Sequence, residues 1–155
     1  MSKWLMSAAA FGLVAACSPA DAPTPPASEA SPVLSYSDAF VMEPIGGRDM
    51  TMGGVTISVE GGDVTLTSAS SPAFGTIELH TMAMVDDRMQ MRQVENFGIA
   101  DGETLELKRG GNHLMMFDVG EGVTGGETVD ITFNFEAAGE PMTLVVEADV
   151  RVVGE

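Results

Sequence analysis

A single cysteine, Cys17, stands in 155 residues, so no intrachain disulfide can form and no cysteine cluster can bind a metal. Basic residues are scarce as well: seven Lys and Arg face 23 Asp and Glu, for a net charge of −16. A surface of that sign repels phosphate backbones, which excludes nucleic acid as a partner, and it offers no basic patch to hold anionic lipid. Aromatic residues make up only 6% and there are only two histidines. Past the first seventeen residues no stretch of eighteen apolar residues occurs, which leaves no candidate membrane-spanning helix in the body of the chain. No Gly-rich loop sits between a strand and a helix to cradle phosphates.

What is present is a globular composition, 45% hydrophobic and 19% charged, in a length that allows one domain. Eighteen glycines beside many Val, Thr and Ile residues suggest strands joined by tight turns. The acidity favours solubility and attracts cations without choosing among them.

Residues 1–17, MSKWLMSAAAFGLVAAC, carry Lys3 and then a short apolar run with small residues at its end. This is a signal-peptide pattern, too short to span a membrane comfortably. Its last four residues, Val14-Ala15-Ala16-Cys17, resemble the bacterial lipobox, which implies lipidation of the Cys17 thiol and attachment to the membrane through that anchor alone. Removing this segment, which holds Lys3 and no acid, makes the charge one unit more negative. Ser18 at the next position slightly favours the outer membrane, by resemblance to Gram-negative lipoproteins. The segment 18–36 opens on SPADAPTPPASEASP, which holds no large apolar residue and reads as an extended tether. The domain is then expected over 37–155.

Within that domain, β-like runs alternate with Gly, Pro, Asn and Asp. Strands are expected at Ala39–Glu43, Val55–Glu60, Asp63–Ser70, Thr76–His80, Met89–Val94, Thr104–Lys108, His113–Val119, Glu127–Glu136 and Met142–Val150. In TVDITFNF, residues Val129, Ile131, Phe133 and Phe135 share one face. Leu144, Val146, Ala148 and Val150 can do the same. Strands at this spacing predict an all-β antiparallel sandwich or barrel.

The two histidines each closely precede methionines, in the pattern H-x10-M-x21-H-x-M formed by His80, Met91, His113 and Met115. With the neighbouring Glu78-Leu79-His80-Thr81-Met82, Met91-Arg92 and Leu107-Lys108 through Gly110-Gly111-Asn112-His113, this resembles the PCuAC family of periplasmic copper chaperones, over roughly residues 39–153. The resemblance implies a cupredoxin-like Greek-key β-barrel that holds one Cu(I) through those two His and two Met. It also implies delivery towards cytochrome c oxidase assembly, with a copper subunit of the oxidase or a Sco-like assembly factor as acceptor.

Elementary coordination chemistry agrees. Thioether and imidazole suit Cu(I), whereas Mg, Ca and Mn prefer oxygen and zinc more often takes Cys or carboxylate. A blue-copper centre needs a thiolate, and Cys17 lies in the lipobox. His113 and Met115 are two apart, so on a strand they share a face, while Leu114 and Met116 point to the core. His80 is expected to end a strand, and a hairpin over Val85–Arg88 would bring it near Met91. Glu78, on the same face as His80, is the candidate outer partner of that imidazole. Met82, Met84 and Met89 are read as lining the rim or as soft contacts during handover, and Met42, Met50, Met52, Met116 and Met142 as core filler. Imidazole binds metal only when neutral, so copper affinity is expected to fall as pH drops through roughly 6.5; a curve flat down to pH 5 would exclude histidine ligation.

With both histidines in that set, none is left for a Ser-His-Asp arrangement, and no enzymatic activity is expected. A copper buffer that protects the envelope would use the same four residues. A structural β-sandwich lipoprotein would use them only for packing. The chain ends VEADVRVVGE without a His- and Met-rich tail, so one copper per molecule is expected.

Overall fold

The computed structural model describes residues 31–154. The signal pattern, Cys17 and the first part of the tether lie outside the described residues. Ten strands follow one another: β1 (Val33–Met42), β2 (Met50–Glu60), β3 (Val64–Ser70), β4 (Phe74–Val85), β5 (Arg88–Gln93), β6 (Phe97–Ile99), β7 (Thr104–Leu107), β8 (His113–Val119), β9 (Thr128–Ala137) and β10 (Glu140–Arg151). Apart from one 3-10 turn at Ile45–Gly47, the regular structure among the described residues is all β. The expected class is therefore observed.

The strands form one continuous sheet in the order β5-β4-β8-β2-β1-β10-β9-β3-β6, with β7 paired to β2. Neighbours are antiparallel except β1 and β10, which run parallel and join the two halves. The sheet closes over a single core. Period-2 alternation decides which side chains enter it: Val129, Ile131, Phe133 and Phe135 from β9 meet Val146, Ala148 and Val150 from β10, and Ile57, Leu79, Leu114 and Met116 from the other half. At roughly 25 cal/mol per Å² of apolar surface removed from water, these burials supply the main stabilising term.

Several strands run beyond their expected bounds, β2 back to Met50 among them, and two of these extensions shape the domain. Strand β1 begins at Val33, within the segment read as tether, because Val33–Tyr36 pair residue by residue with Glu60–Ile57 of β2. His80 does not end its strand: β4 runs on to Val85. The continuation pairs with β5, from His80 opposite Gln93 to Val85 opposite Arg88. Asp86 and Asp87 close this hairpin with φ of 49° and 58°. Two successive left-handed residues are the requirement of a type I′ turn, whose twist matches that of the strands it joins. The result is a two-stranded ribbon leaving the sandwich past His80, with every residue of β5 exposed.

Strand β2 changes partner halfway along. Met50–Gly53 pair with β8, whereas Val55–Ser58 pair with β7. The changeover falls at Gly53-Gly54, where a side chain has no room: a Cβ on Gly53 would lie 2.7 Å from Met116 Cε, and one on Gly54 would run into the Leu107 carbonyl oxygen. This break lets β8 start at His113, beside the middle of β4.

Candidate metal centre

His80 and His113 stand directly opposite each other on the adjacent strands β4 and β8. Cross-strand partners share a face, and the ring centroids are 5.8 Å apart at an interplanar angle of 46°. Behind them, on the core face of the same strands, lie the buried Leu79 and Leu114. The histidines are thus backed by the sandwich.

The hydrogen bonds around each ring fix its tautomer. His113 is only 4% exposed, and its Nδ1 lies 2.8 Å from the Gly111 carbonyl oxygen. A carbonyl can only accept, so Nδ1 carries the proton and Nε2 presents a bare lone pair. The turn that provides this carbonyl is closed by bonds from Gly111 N to the Lys108 carbonyl and from Lys108 N to the Asn112 carbonyl. Gly110 supplies its left-handed residue, with φ of 83°. Thr81 Oγ1 donates to Asn112 Oδ1 at 2.7 Å and ties the turn to β4. The Gly110-Gly111-Asn112-His113 stretch thus builds the support for one imidazole.

His80 has the opposite tautomer. Its Nε2 donates to Glu78 Oε2 at 2.8 Å, so Nδ1 is the bare nitrogen. That atom is buried and has no hydrogen-bond partner. A buried acceptor left unpaired is costly, of order 1–3 kcal/mol, and calls for an explanation. Glu78, two residues away on the same strand face, thus holds the His80 ring by a hydrogen bond.

Met91 arrives from the ribbon. Its Sδ lies 3.0 Å from His113 Nε2. Both atoms are lone-pair donors, and with the His113 proton on Nδ1 no hydrogen stands between them. Met91 is opposite Met82 in the ladder, not opposite His80, and it is 49% exposed. Met115 lies on the same face of β8 two residues past His113, between Glu78 on β4 and Met52 on β2. The structure thus brings the Met91 sulfur to His113 and sets His80 beside His113, with Met115 on the adjoining step of the same face.

Met115 also lines a cavity of about 260 Å³ with Met42, Met50 and Met52, flanked by Arg48 and Arg109. This corrects the reading of those methionines as core filler. Met116 is fully buried, but Met50 is exposed, and Met42 and Met52 are half-buried around an open pocket. The signal missed was positional: Met52 pairs with Met115 across the β2–β8 ladder, a register invisible without the changeover at Gly53-Gly54. Among the described residues no three of His, Cys, Asp and Glu gather as a metal-binding group, so the soft donors stand without a competing oxygen-rich set.

The family model for LpqE-like proteins, described as "Putative lipoprotein LpqE-like", matches residues 34–149. The chain belongs to this family. No curated protein matches this LpqE-like chain. Its fold is that of PCuAC domains. The copper-bound PCuAC domain from PmoF2 is 15% identical, with a TM-score of 0.63, over 77% of this chain and 92% of that one. The solution structure of apo-DR1885 from Deinococcus radiodurans is 25% identical, with a TM-score of 0.57, over 94% of this chain and 99% of that one. The solution structure of CuI-DR1885 from the same organism is also 25% identical, with a TM-score of 0.53, over 79% of each chain. The cupredoxin-like β-sandwich that the resemblance to the PCuAC family implied is the one observed.

Proposed function

We propose that this LpqE-like protein is a copper carrier of the bacterial cell envelope that binds Cu(I) through His80, Met91, His113 and Met115. The observation that supports it best is the pair of bare nitrogens, His113 Nε2 beside Met91 Sδ and the buried, unpartnered Nδ1 of His80. A soft monovalent ion accepts from both nitrogens and from the sulfur at once. Two neutral imidazoles and two thioethers leave the ion's single charge intact, and the Glu78 carboxylate, one imidazole away, offsets it. A copper-bound PCuAC domain and CuI-DR1885 among the similar structures accord with that choice of metal.

The ion is cargo rather than a catalytic centre on this reading. Met91 reaches the site from an exposed ribbon, so an acceptor's ligands can approach from solvent and replace donors one at a time. A membrane anchor through Cys17 would keep the carrier in the envelope, where a cytochrome c oxidase copper subunit or a Sco-like factor is the proposed acceptor. Anaerobic loading of the full chain with Cu(I), followed by metal analysis and X-ray absorption, tests the reading. The expected result is one tightly held copper with two nitrogen and two sulfur neighbours; oxygen-only ligation would overturn it. Passage of that copper to an apo oxidase subunit identifies a carrier, whereas retention identifies a buffer.

Replacing Glu78 with Ala should lower Cu(I) affinity by about 10- to 100-fold, the usual cost of losing an outer partner that orients a metal-bound imidazole. Competition against a chromophoric Cu(I) chelator measures it. An unchanged affinity would show that the Glu78–His80 bond plays no part in binding.

A further inference from the structure

Beyond His80 the ribbon carries methionines in two successive cross-strand pairs, Met82 opposite Met91 and Met84 opposite Met89. Side chains two apart on a strand share a face, so all four project from one side of the ribbon. The other side presents Thr81, Ala83, Val85, Arg88, Gln90 and Arg92. Opposed Cβ atoms lie about 4.5–5.5 Å apart, and the next pair is about 7 Å along the strands. Unbranched thioether side chains readily span such gaps to reach a common point.

Packing does not account for these four residues. None belongs to the hydrophobic core or packs against it. Met84 is 65% exposed and Met89 53%. Strand β5 is the end strand of the sheet, a position where proteins ordinarily place charge and avoid exposed apolar side chains. The two acids at the tip, Asp86 and Asp87, are matched by Arg88 and Arg92 on the other side of the ribbon, so the methionine face is set apart by its sulfur and not by local charge.

We propose that Met82, Met84, Met89 and Met91 form a second, weaker Cu(I) site made of thioethers alone, through which the ion reaches and leaves the histidine pair. The proposal rests on the Cu(I) reading above. Neutral sulfur donors without nitrogen or oxygen select a soft monovalent ion over Zn or Cu(II). Met91 belongs to both sites, so the ion need never be free. Its bond to Met91 Sδ persists while bonds to the Met82, Met84 and Met89 sulfurs break and bonds to His113 Nε2 and His80 Nδ1 form. Copper stays monovalent throughout. No proton moves, because both nitrogens are already bare.

The test is an anaerobic titration of the full chain, labelled at the methionine methyl carbons, with Cu(I) followed by NMR. The first equivalent should shift Met91 and Met115. A second should shift Met82, Met84 and Met89, the three thioethers left when Met91 holds the first ion, and the Met82 shift should vanish in the Met84→Leu/Met89→Leu variant, whose changes touch no core residue. With His80 and His113 both replaced by Ala, the ribbon methyls should respond to the first copper added. If the first equivalent binds and the second leaves the ribbon methyls unmoved, or moves Met42, Met50 and Met52 instead, the ribbon site is wrong and the histidine site stands. If no copper binds at all, both readings fail.

Discussion

Replacing His113 with Ala should cost more than about 100-fold in Cu(I) affinity, beyond the 10- to 100-fold expected from an outer partner alone. His113 Nε2 is the atom to which Met91 Sδ comes within 3.0 Å. Without it, His80 Nδ1 and the thioethers remain, and no second nitrogen among the described residues can move in, since the chain has only two histidines. The substitution also leaves the Gly111 carbonyl without its donor, a loss of about 1–3 kcal/mol. Urea unfolding of the variant must therefore accompany the competition titration, to show that a folded domain has lost its metal. If the folded variant still takes up stoichiometric copper at wild-type affinity, these His and Met residues are packing and nothing more.

The second large effect is on folding. Gly54→Val should destabilise the domain by about 3 kcal/mol, the upper part of the usual range for overpacking. A Cβ at Gly54 meets the Leu107 carbonyl and lies 2.8 Å from the Phe40 ring. Neither neighbour yields easily: Leu107 is held in the β2–β7 ladder opposite Val55, and Phe40 is opposite Gly54 itself. Backbone strain is not involved, because Gly54 is absent from the positive-φ positions; the argument is purely steric. A shift in the urea midpoint with unchanged slope is the expected signature. A loss below about 1 kcal/mol would mean that β2 and β7 separate more freely than their pairing implies.

Nine of the ten strands are legible from alternation and turn residues, because β9 and β10 and the strands around His80 and His113 each place one apolar face towards the core. Phe97–Ile99 is not legible: three residues with a central Gly98 show no period. The extension of β4 past His80 is hidden as well. Thr81–Val85 packs no face on the core, because it lies on a ribbon outside the sandwich, so no apolar period marks it as strand. The spacing of His80, Met91, His113 and Met115 marks the proposed donors, and the position of Glu78 marks its bond to His80. The register is not in the spacing. That His80 faces His113, and that Met91 meets His113 from the side of Met82, depends on long-range pairing. The methionine cavity beside Met115 depends on the same pairing, through Met52.

Of the proposed donors, the two imidazoles and Met115 stand on strands of the sandwich, whereas Met91 stands on a support far less stiff. Both imidazoles rise from strands whose reverse sides are Leu79 and Leu114, so displacing either ring disturbs buried packing. The Met91 sulfur hangs from a strand bare on both faces, where fraying exposes almost no new apolar area and therefore takes little free energy. Thermal agitation consequently works on the sulfur arm long before it reaches the nitrogens. On the proposed carrier reading, grip and release would then be tuned by separate parts of the chain: changes in the hairpin would alter how quickly the cargo departs, while the sandwich would keep the strength of the hold.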